Sequence, residues 1–424
     1  MSSPDVGGSA LTLERKMRLA ENRPAGFDYM RLGLAAAVIL QHTINVSYGQ
    51  SAAVAFFSTP ARGIAALILP MFFALSGFLV AGSLVRSATL ISFGGLRILR
   101  IVPALAVEVT LSALLLGPYF TALPLSEYFS SPIFYAYFLN IIGEIHFVLP
   151  GVFLDNPVPS TVNGQLWTIP YELKCYVILA ALALFGACTR RGLLLIALFV
   201  GQVAMLLWAM IADPAWTPIV PGMILVASFL AGILLFQFRA RVAWSPALFA
   251  VALIATVALL LIPKGDYLVA LPLAYVTAFL GLCHPPRLKL LLSGDYSYGL
   301  FLYGFPIQQA VAALLGDHQN WLLNFLLTMP FAIAIAVFSW WCVEKPSLKA
   351  KPALVRFESW VCRLLPSRLA RLITPDGISV LWAPPTRDPR HPPEITDFRG
   401  YVPDLQLQRT RLGDLKTRLR AIMS

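Results

Sequence analysis

The sequence predicts an all-α, polytopic membrane protein, a bundle of about ten transmembrane helices with both termini in the cytoplasm. Three observations lead to this fold class. Of the 424 residues, 58% are hydrophobic and only 12% are charged, whereas a soluble domain carries about 25% charged residues. Apolar runs of about 20 residues, long enough to cross a bilayer, recur along the chain. The loops between these runs alternate between basic and nearly uncharged.

The apolar runs define ten candidate spans, each bounded by polar or Pro/Gly-rich residues. They lie at 30–48, 64–85, 98–117, 165–187, 192–212, 219–237, 245–262, 267–283, 297–315 and 321–343. The loops rich in Arg and Lys alternate with the others over all ten crossings, and both ends of the chain belong to the basic set. Both termini are therefore expected to be cytoplasmic.

A shorter apolar stretch at 133–143 covers only about half of a bilayer. If it were a crossing, every later loop would change sides and the alternation of charge would be lost. It is therefore predicted to be a re-entrant or interfacial segment.

Composition divides the chain into three regions. Residues 1–27 form a polar cytoplasmic arm, too long and too polar to be the leader of a signal peptide. Residues 28–346 form the transmembrane domain, and 347–424 form a basic cytoplasmic tail. In the tail, apolar residues at helical intervals over about 354–373, with arginines between them, predict an amphipathic helix on the anionic membrane surface. A Pro-rich segment follows. Because the net charge of +11 is concentrated in loops and tail, it does not indicate a nucleic-acid partner.

His42 is the most informative ionisable residue inside a predicted span. A charged or ionisable group there costs a few kcal/mol unless it faces a partner or a water-filled cavity. Arg31 and His42 are separated by about three helical turns, so they share one face roughly 16 Å apart. Glu172 is predicted to lie at a similar depth, in the outer third of the membrane. A carboxylate on one ring nitrogen would orient the imidazole and leave the other nitrogen as a general base. The alternative is an ion pair that only joins two helices.

The other polar groups have plainer interpretations. Glu108 is expected to have a structural partner, such as Lys174 or a buried polar group, and Lys174 is expected to extend outward. Arg97 and Arg100 fit either ordinary positive-inside anchoring or a clamp for an anionic phosphoester. The other histidines lie in loops or the tail, and the five cysteines are scattered. No spacing of His and Cys resembles a metal site, so no metal is expected.

Six segments in chain order, which together cover roughly residues 26–346, form a set of motifs. The first opens with Phe27-Asp28 and contains Arg31 and His42, and the others lie at 72–79, 97–100, 163–172, 297–306 and 344–346. Together they resemble the motifs of the acyltransferase 3 family of integral-membrane O-acyltransferases, whose Arg-x10-His spacing Arg31 and His42 match. Two positions depart from the family. Gly304 stands where many relatives have a histidine, and Leu173 stands where they have a second acidic residue.

The resemblance implies transfer of an acyl group, usually acetyl from acetyl-CoA, to a hydroxyl of a glycan, lipid-linked saccharide or small glycoside. Arg31, Arg97 and Arg100 would bind the phosphates of acyl-CoA arriving from the cytoplasm. Given the departures at Gly304 and Leu173, the catalytic pair would consist of His42 and Glu172. His42, oriented by Glu172, would take the proton of the acceptor hydroxyl as it attacks the thioester.

On the acceptor side, the resemblance assigns Asn163 and Trp167 to the outer mouth, where they would contact a sugar. Asp28, one turn from Arg31 on the same helix face, would orient that arginine. Ser76 would pack helices with its neighbouring glycine rather than carry an acyl group. Acyl-CoA would be a co-substrate, with no further cofactor. The expected location is the bacterial inner membrane, with membrane lipids as the other partners.

Two rival functions remain open from the sequence. A polytopic transporter or flippase of a lipid-linked or small polar substrate would also have buried charges among ten spans, although the two halves show no matched pair of broken helices. A signalling or scaffold protein acting through its tail is the second rival, but the tail carries no recognisable motif.

Overall fold

The computed structural model describes residues 11–21, 24–87, 89–184, 191–212, 218–288, 291 and 293–364. Within these residues the chain is predominantly helical, and extended pairing is limited to two isolated bridges. The all-α class is confirmed. The long helices, in chain order, are α1 (Ala25–Phe57), α2 (Ile68–Arg86), α3 (Leu90–Leu111), α4 (Ile169–Leu184), α5 (Arg191–Ala212), α6 (Gly222–Phe238), α7 (Pro246–Leu261), α8 (Ala270–Gly281), α9 (Ser297–Leu315) and α10 (Trp321–Ser339).

Short helical pieces extend or connect these helices. A π-helical turn and a further α-helical turn prolong α3 to Phe120, and α10 continues through a similar π-helical turn. The short pieces are Leu13–Leu19, Arg62–Ala65, Ser112–Leu116, Gly117–Phe120, Leu125–Ser130, Pro132–Tyr137, Phe138–Ile142, Gly164–Thr168, Gly265–Leu268, Gly316–His318, Trp340–Glu344, Lys345–Ser347, Leu348–Ala350 and Lys351–Leu364.

Six helical segments of the described chain are long and apolar enough to cross a membrane. They are Arg62–Arg86, Leu90–Phe120, Gly164–Leu184, Arg191–Ala212, Ser297–His318 and Trp321–Val361. The helices α6, α7 and α8 are apolar but shorter, and α1, although 33 residues long, is not among the six. Each predicted span overlaps one of the ten long helices. The helices of a multi-pass membrane protein are therefore present, while ten crossings and cytoplasmic termini stay predictions.

Two further predicted segments overlap helices of the structure. The stretch predicted to be re-entrant forms the short apolar helical segment Pro132–Ile142, and its position in the membrane stays a prediction. The predicted amphipathic tail helix overlaps Lys351–Leu364, where Ser92 Oγ of α3 donates a hydrogen bond to Glu358. The rest of that helix and the Pro-rich segment lie outside the described residues.

Small residues allow the central helices to touch backbone to backbone. At the crossing of α2 and α6, a Cβ atom on Gly77 would overlap the carbonyl oxygen of Phe229, and one on Gly232 would overlap that of Ala74. In a bilayer such close packing is a main source of helix association, because lipid is as apolar as the side chains. The packing interpretation of the Ser-Gly pair in α2 agrees with this contact.

The helices α1 and α9 form the wall that carries most of the candidate site. Gln308 Nε2 on α9 donates to the carbonyl oxygen of Ile39 on α1 over 2.8 Å. A Cβ atom on Gly304 would lie 2.6 Å from Ile39 Cγ1, so this close contact of the two helices leaves no room for the histidine of many relatives. Gly304 therefore serves packing here.

A buried ion pair joins the loops at one end of the bundle. Arg62 Nη2 and Nη1 lie 2.6 and 3.0 Å from the two carboxylate oxygens of Asp266, and both side chains are only 2% exposed. Arg62 Nε also donates to the carbonyl oxygen of Pro218 over 2.9 Å. This bidentate contact ties the segment before α2 to the connections that precede α6 and α8.

Candidate functional site

Asp295 organises a group of charged residues at the start of α1, α3 and α9. Its Oδ2 atom lies 3.2 Å from Arg31 Nη1 and also accepts a hydrogen bond from Arg100 Nη2, while Ser297 Oγ donates to Oδ1 over 2.7 Å. Burial would raise the pKa of Asp295, but the two guanidinium groups hold it well below its ordinary value. We call Arg31, Arg97, Arg100 and their carboxylate partners the arginine cluster.

Some N–H groups of the cluster have no hydrogen-bond acceptor among the described residues. Arg31 Nη2 donates to Asp28 Oδ1 over 2.7 Å, and Arg97 Nη2 donates to Ser83 Oγ over 3.2 Å. The Nε atoms of Arg31 and Arg97 are buried without a hydrogen-bond partner among the described residues. Because a buried N–H normally has a partner, these two groups each lack a hydrogen bond that a bound anion would supply. The contact between Asp28 and Arg31 is the one that their spacing predicts.

Glu344 adds a second buried carboxylate beside Arg100. Its Oε1 atom accepts a hydrogen bond from Ser339 Oγ over 3.2 Å, and its other oxygen is buried without a partner in the described part of the chain. The attraction between Glu344 and Arg100 links the end of α10 to the cluster. Three arginines and several carboxylates thus meet at this end of the bundle, which makes the cluster polar but close to charge balance.

Glu172 lies beside the arginine cluster. Its carboxylate accepts a hydrogen bond from the hydroxyl of Tyr176, one turn later on α4, and interacts electrostatically with Arg97 and Arg100. Among the described residues no hydrogen bond or ion pair joins Glu172 to His42. The structure therefore gives Glu172 partners that differ from the predicted one, and the pairing with His42 stays a prediction.

His42 belongs to a second polar group, farther along α1. Its half-buried ring packs edge to face against Phe305 of α9, with centroids 5.2 Å apart and ring planes at 86°. The same phenyl ring approaches Gly164, where a Cβ atom would lie 2.8 Å from Phe305 Cζ. Phe305 therefore connects His42 with the segment that leads into α4.

Glu108 lies on the other side of that segment. It is fully buried, and it accepts a hydrogen bond from Ser112 Oγ over 2.9 Å. Asn163 Nδ2 donates to its two oxygens over 3.5 and 3.4 Å. The partner of Glu108 is thus a pair of buried polar groups, one of the two alternatives expected, and not Lys174. We call His42, Phe305, Gly164, Asn163 and Glu108 the histidine layer.

The two residues predicted at the outer mouth have different surroundings. Asn163 is fully buried, and its Oδ1 atom has no hydrogen-bond partner within the described chain. The segment before α4 turns into the bundle and brings Asn163 to Glu108, and its predicted place at the mouth, in contact with the acceptor, stays a prediction. Trp167 is half-buried and packs against Tyr171, with ring centroids 5.8 Å apart. Lys174 is exposed, as expected, with its ammonium 5.0 Å from the Tyr171 ring centroid.

Several residues of the site escaped sequence reasoning. Ser112 and Tyr176 each follow a glutamate by four residues, a spacing that places both members of a pair on one helix face. That signal was available. Asp295 and Glu344 gave a weaker signal, since an acidic residue in a basic loop acquires its partners only through the tertiary fold. In the ranges that the structure describes, no group of three or more His, Cys, Asp or Glu residues could hold a metal ion.

Comparison with known proteins identifies the family of the chain. The profile of an acyltransferase domain, that of the acyltransferase 3 family, matches residues 25–343. The chain is 28% identical over 345 residues to the O-acetyl transferase of Shigella phage Sf6, an alignment that covers 77% of this chain and 97% of the phage protein. It is 27% identical over 367 residues to Nodulation protein 10 of Rhizobium leguminosarum bv. viciae, covering 78% and 94% of the two chains. No solved structure matches the chain significantly.

The match over most of the chain shows its family. The protein belongs to the acyltransferase 3 family, and the O-acetyl transferase relative supports an O-acyltransferase with membrane helices.

Proposed function

We propose that this member of the acyltransferase 3 family transfers an acyl group, most simply acetyl, from acyl-CoA to a hydroxyl of a glycan, lipid-linked saccharide or small glycoside. The observation that carries the proposal is the placement of two different groups along α1. Arg31 lies in a cluster with unused donors, and His42 lies about three turns farther on, at the same helix face. That separation suits a long ligand with anionic phosphates at one end and a reactive thioester at the other.

The arginine cluster would bind the donor. Arg97, Arg100 and Arg31 would contact the phosphates of acyl-CoA, because guanidinium groups recognise phosphate oxygens with directed, charge-assisted hydrogen bonds. The partnerless Nε atoms of Arg31 and Arg97 support this role. Asp295 and Asp28 would hold the guanidinium groups in place before the donor arrives.

His42 would act as the general base. Its imidazole would take the proton from the acceptor hydroxyl while that oxygen forms a bond to the thioester carbonyl carbon. Collapse of the resulting tetrahedral intermediate would break the carbon–sulfur bond. The imidazolium would then return the proton to the sulfur, so that free CoA and the acyl ester leave. Glu172, predicted to orient His42, also has the alternative role of a partner for the donor arginines, which its contacts favour.

The proposed topology places the two substrates on opposite sides. Ten crossings with cytoplasmic termini would expose the arginine cluster to cytoplasmic acyl-CoA in the inner membrane of a bacterium. The acceptor would then reach His42 from the opposite end of α1. The proposal requires no metal or further cofactor.

The decisive experiment compares surface glycans and glycolipids, by mass spectrometry, from cells with the intact gene, cells without it, and cells with His42→Ala. We expect an acyl mass increment that depends on the intact protein. Loss of a general base lowers the rate by about 100-fold or more, so His42→Ala should abolish the increment while protein abundance and acyl-CoA binding are kept. His146→Ala, which changes a histidine paired with Glu144 in a loop, is the matched control. Identical profiles from all strains would refute the proposed activity.

A further inference from the structure

An open cavity of about 510 Å³ lies at the end of the bundle opposite to the arginine cluster. It is bounded by the turn that follows α3, the loop at 151–157 and the residues that end α9. Its volume lies within the roughly 300–1,000 Å³ typical of small-molecule sites. None of the residues of the arginine cluster or the histidine layer lines it.

The side chains that line this cavity offer hydrogen-bond acceptors and almost no free donors. Asp155 and Asp317 are exposed carboxylates, which accept hydrogen bonds. The Oε1 atom of Gln319 is buried without a partner among the described residues. Both lining amides donate to groups inside the protein, since Asn156 donates to Gln309 and one N–H of Gln319 donates to the carbonyl oxygen of Ala312. A ligand that satisfies this wall must itself supply several donors.

An aromatic side chain adds a second feature. The half-buried ring of Phe120 lines the cavity and packs on the buried ring of Phe153, with centroids 4.9 Å apart. Ordered apolar surface beside a few polar groups is the usual composition of a small-molecule site. Several hydroxyl donors on a compact ring with an apolar face describe a saccharide.

The cavity lies directly beyond His42 along α1. Ala312, which lines it, packs in one cluster with Val46, one turn after His42, and with Phe305. Pro157, on the opposite wall, approaches the kink of α1 at Gly49, where a Cβ atom would lie 3.1 Å from the Pro157 carbonyl oxygen. From Phe305 to Ala312 is about 10 Å along the helix axis. The cavity therefore continues the line from the arginine cluster through His42.

We propose that this cavity is the acceptor subsite and that it binds an uncharged, polyhydroxylated portion of the acceptor. The inference rests on the proposed function and names the acceptor class for it. Asp155, Asp317 and Gln319 accept hydrogen bonds from sugar hydroxyls, and the Phe120 ring contacts the sugar face. The two carboxylates disfavour uronic acids and phosphosugars, because like charges repel.

The test uses the purified full-length chain with radiolabelled acetyl-CoA. The acceptor probe is the total glycolipid and polysaccharide extract of cells that lack the gene, divided by anion exchange into a neutral and an anionic fraction. The variants are the double substitution Asp155→Asn with Asp317→Asn, and the charge reversal Asp317→Lys. Glu127→Gln is the matched control, because Glu127 is an exposed acid outside the cavity.

We expect the wild-type chain to label the neutral fraction. The double variant should raise the half-saturating concentration of that fraction about tenfold, the size expected for losing hydrogen bonds to a charged group. The half-saturating concentration of acetyl-CoA should stay the same. Asp317→Lys should increase labelling of the anionic fraction, while Glu127→Gln should behave as wild type.

Two outcomes would overturn the inference while leaving the proposed function intact. One is unchanged acceptor dependence in both cavity variants, and the other is preferential labelling of the anionic fraction by the wild-type chain. A wild-type chain that labels neither fraction would refute the proposed function, and the acceptor subsite with it.

Discussion

The ionisable groups of the arginine cluster and those of the histidine layer have different kinds of partner. In the cluster, Asp295 bridges Arg31 and Arg100, so that these three charges have partners of opposite sign. In the layer, Glu108 and His42 contact neutral groups. Paired charges hold a fixed geometry, which suits binding of a polyanion. An ionisable group among neutral partners deep in a membrane protein is costly, and such groups mark functional sites.

Glu172 serves one of these two regions, and replacing it with glutamine has the widest range of outcomes. If Glu172 serves the donor arginines, Glu172→Gln raises the half-saturating concentration of acyl-CoA about tenfold and preserves the rate at saturating donor. If it orients His42, the rate at saturating donor falls by up to about 10⁴, as for other bases that lose an orienting carboxylate. Its contacts with Tyr176, Arg97 and Arg100 lead us to expect the first result.

In the histidine layer, the substitution that corresponds to Glu172→Gln is Glu108→Gln. The side chain of Glu108 contacts Asn163, the next residue Gly164 lies against Phe305, and His42 packs on the Phe305 ring. Glu108 therefore acts on His42 as a positioning residue. We expect the rate at saturating donor to fall about tenfold or more, with unchanged half-saturating acyl-CoA. If instead Glu172→Gln lowers the rate and Glu108→Gln raises the half-saturating concentration of acyl-CoA, the result would support the pairing of His42 with Glu172 that the sequence predicts.

Asp295→Asn should weaken the binding of acyl-CoA to the arginine cluster, by less than Glu172→Gln does. The amide cannot balance the two guanidinium groups, so we expect the half-saturating concentration of acyl-CoA to rise roughly fivefold. Thermal unfolding gives an independent check. Because the pKa of Asp295 is lowered in the folded protein, its carboxylate stabilises the fold above the unfolded-state pKa of about 3.9. That contribution is lost as the pH falls from there through the lower folded-state pKa.

The difference in unfolding temperature between the wild-type chain and Asp295→Asn should therefore stay constant above about pH 5 and shrink below about pH 4. Ser297→Ala removes one neutral hydrogen bond to the same carboxylate and provides a control with a smaller effect. A difference in unfolding temperature that grows on acidification would contradict the role of the carboxylate.

The sequence best predicted those features that depend on a single local segment. The apolar runs located all ten long helices, since length and hydropathy are local properties. The spacing of Arg31 and Asp28 anticipated their contact. The contact of Asn163 with Glu108 was not predicted, because the segment before α4 carries no periodicity that reveals its turn into the bundle. Asp295 gained its role only from the meeting of α1, α3 and α9, which no local pattern encodes.

The smallest predicted effect tests whether Phe305 transmits geometry between the segment before α4 and His42. In Gly164→Ala, the added methyl group would lie 2.8 Å from Phe305 Cζ, so the ring must shift. His42 rests on that ring, and a small displacement of a base costs less than its removal. We expect the rate at saturating donor to fall about threefold, with acyl-CoA binding unchanged. Gly201→Ala, where nothing lies within 4 Å of the new methyl group, should match wild type. Equal rates for both variants would mean that Phe305 does not position His42.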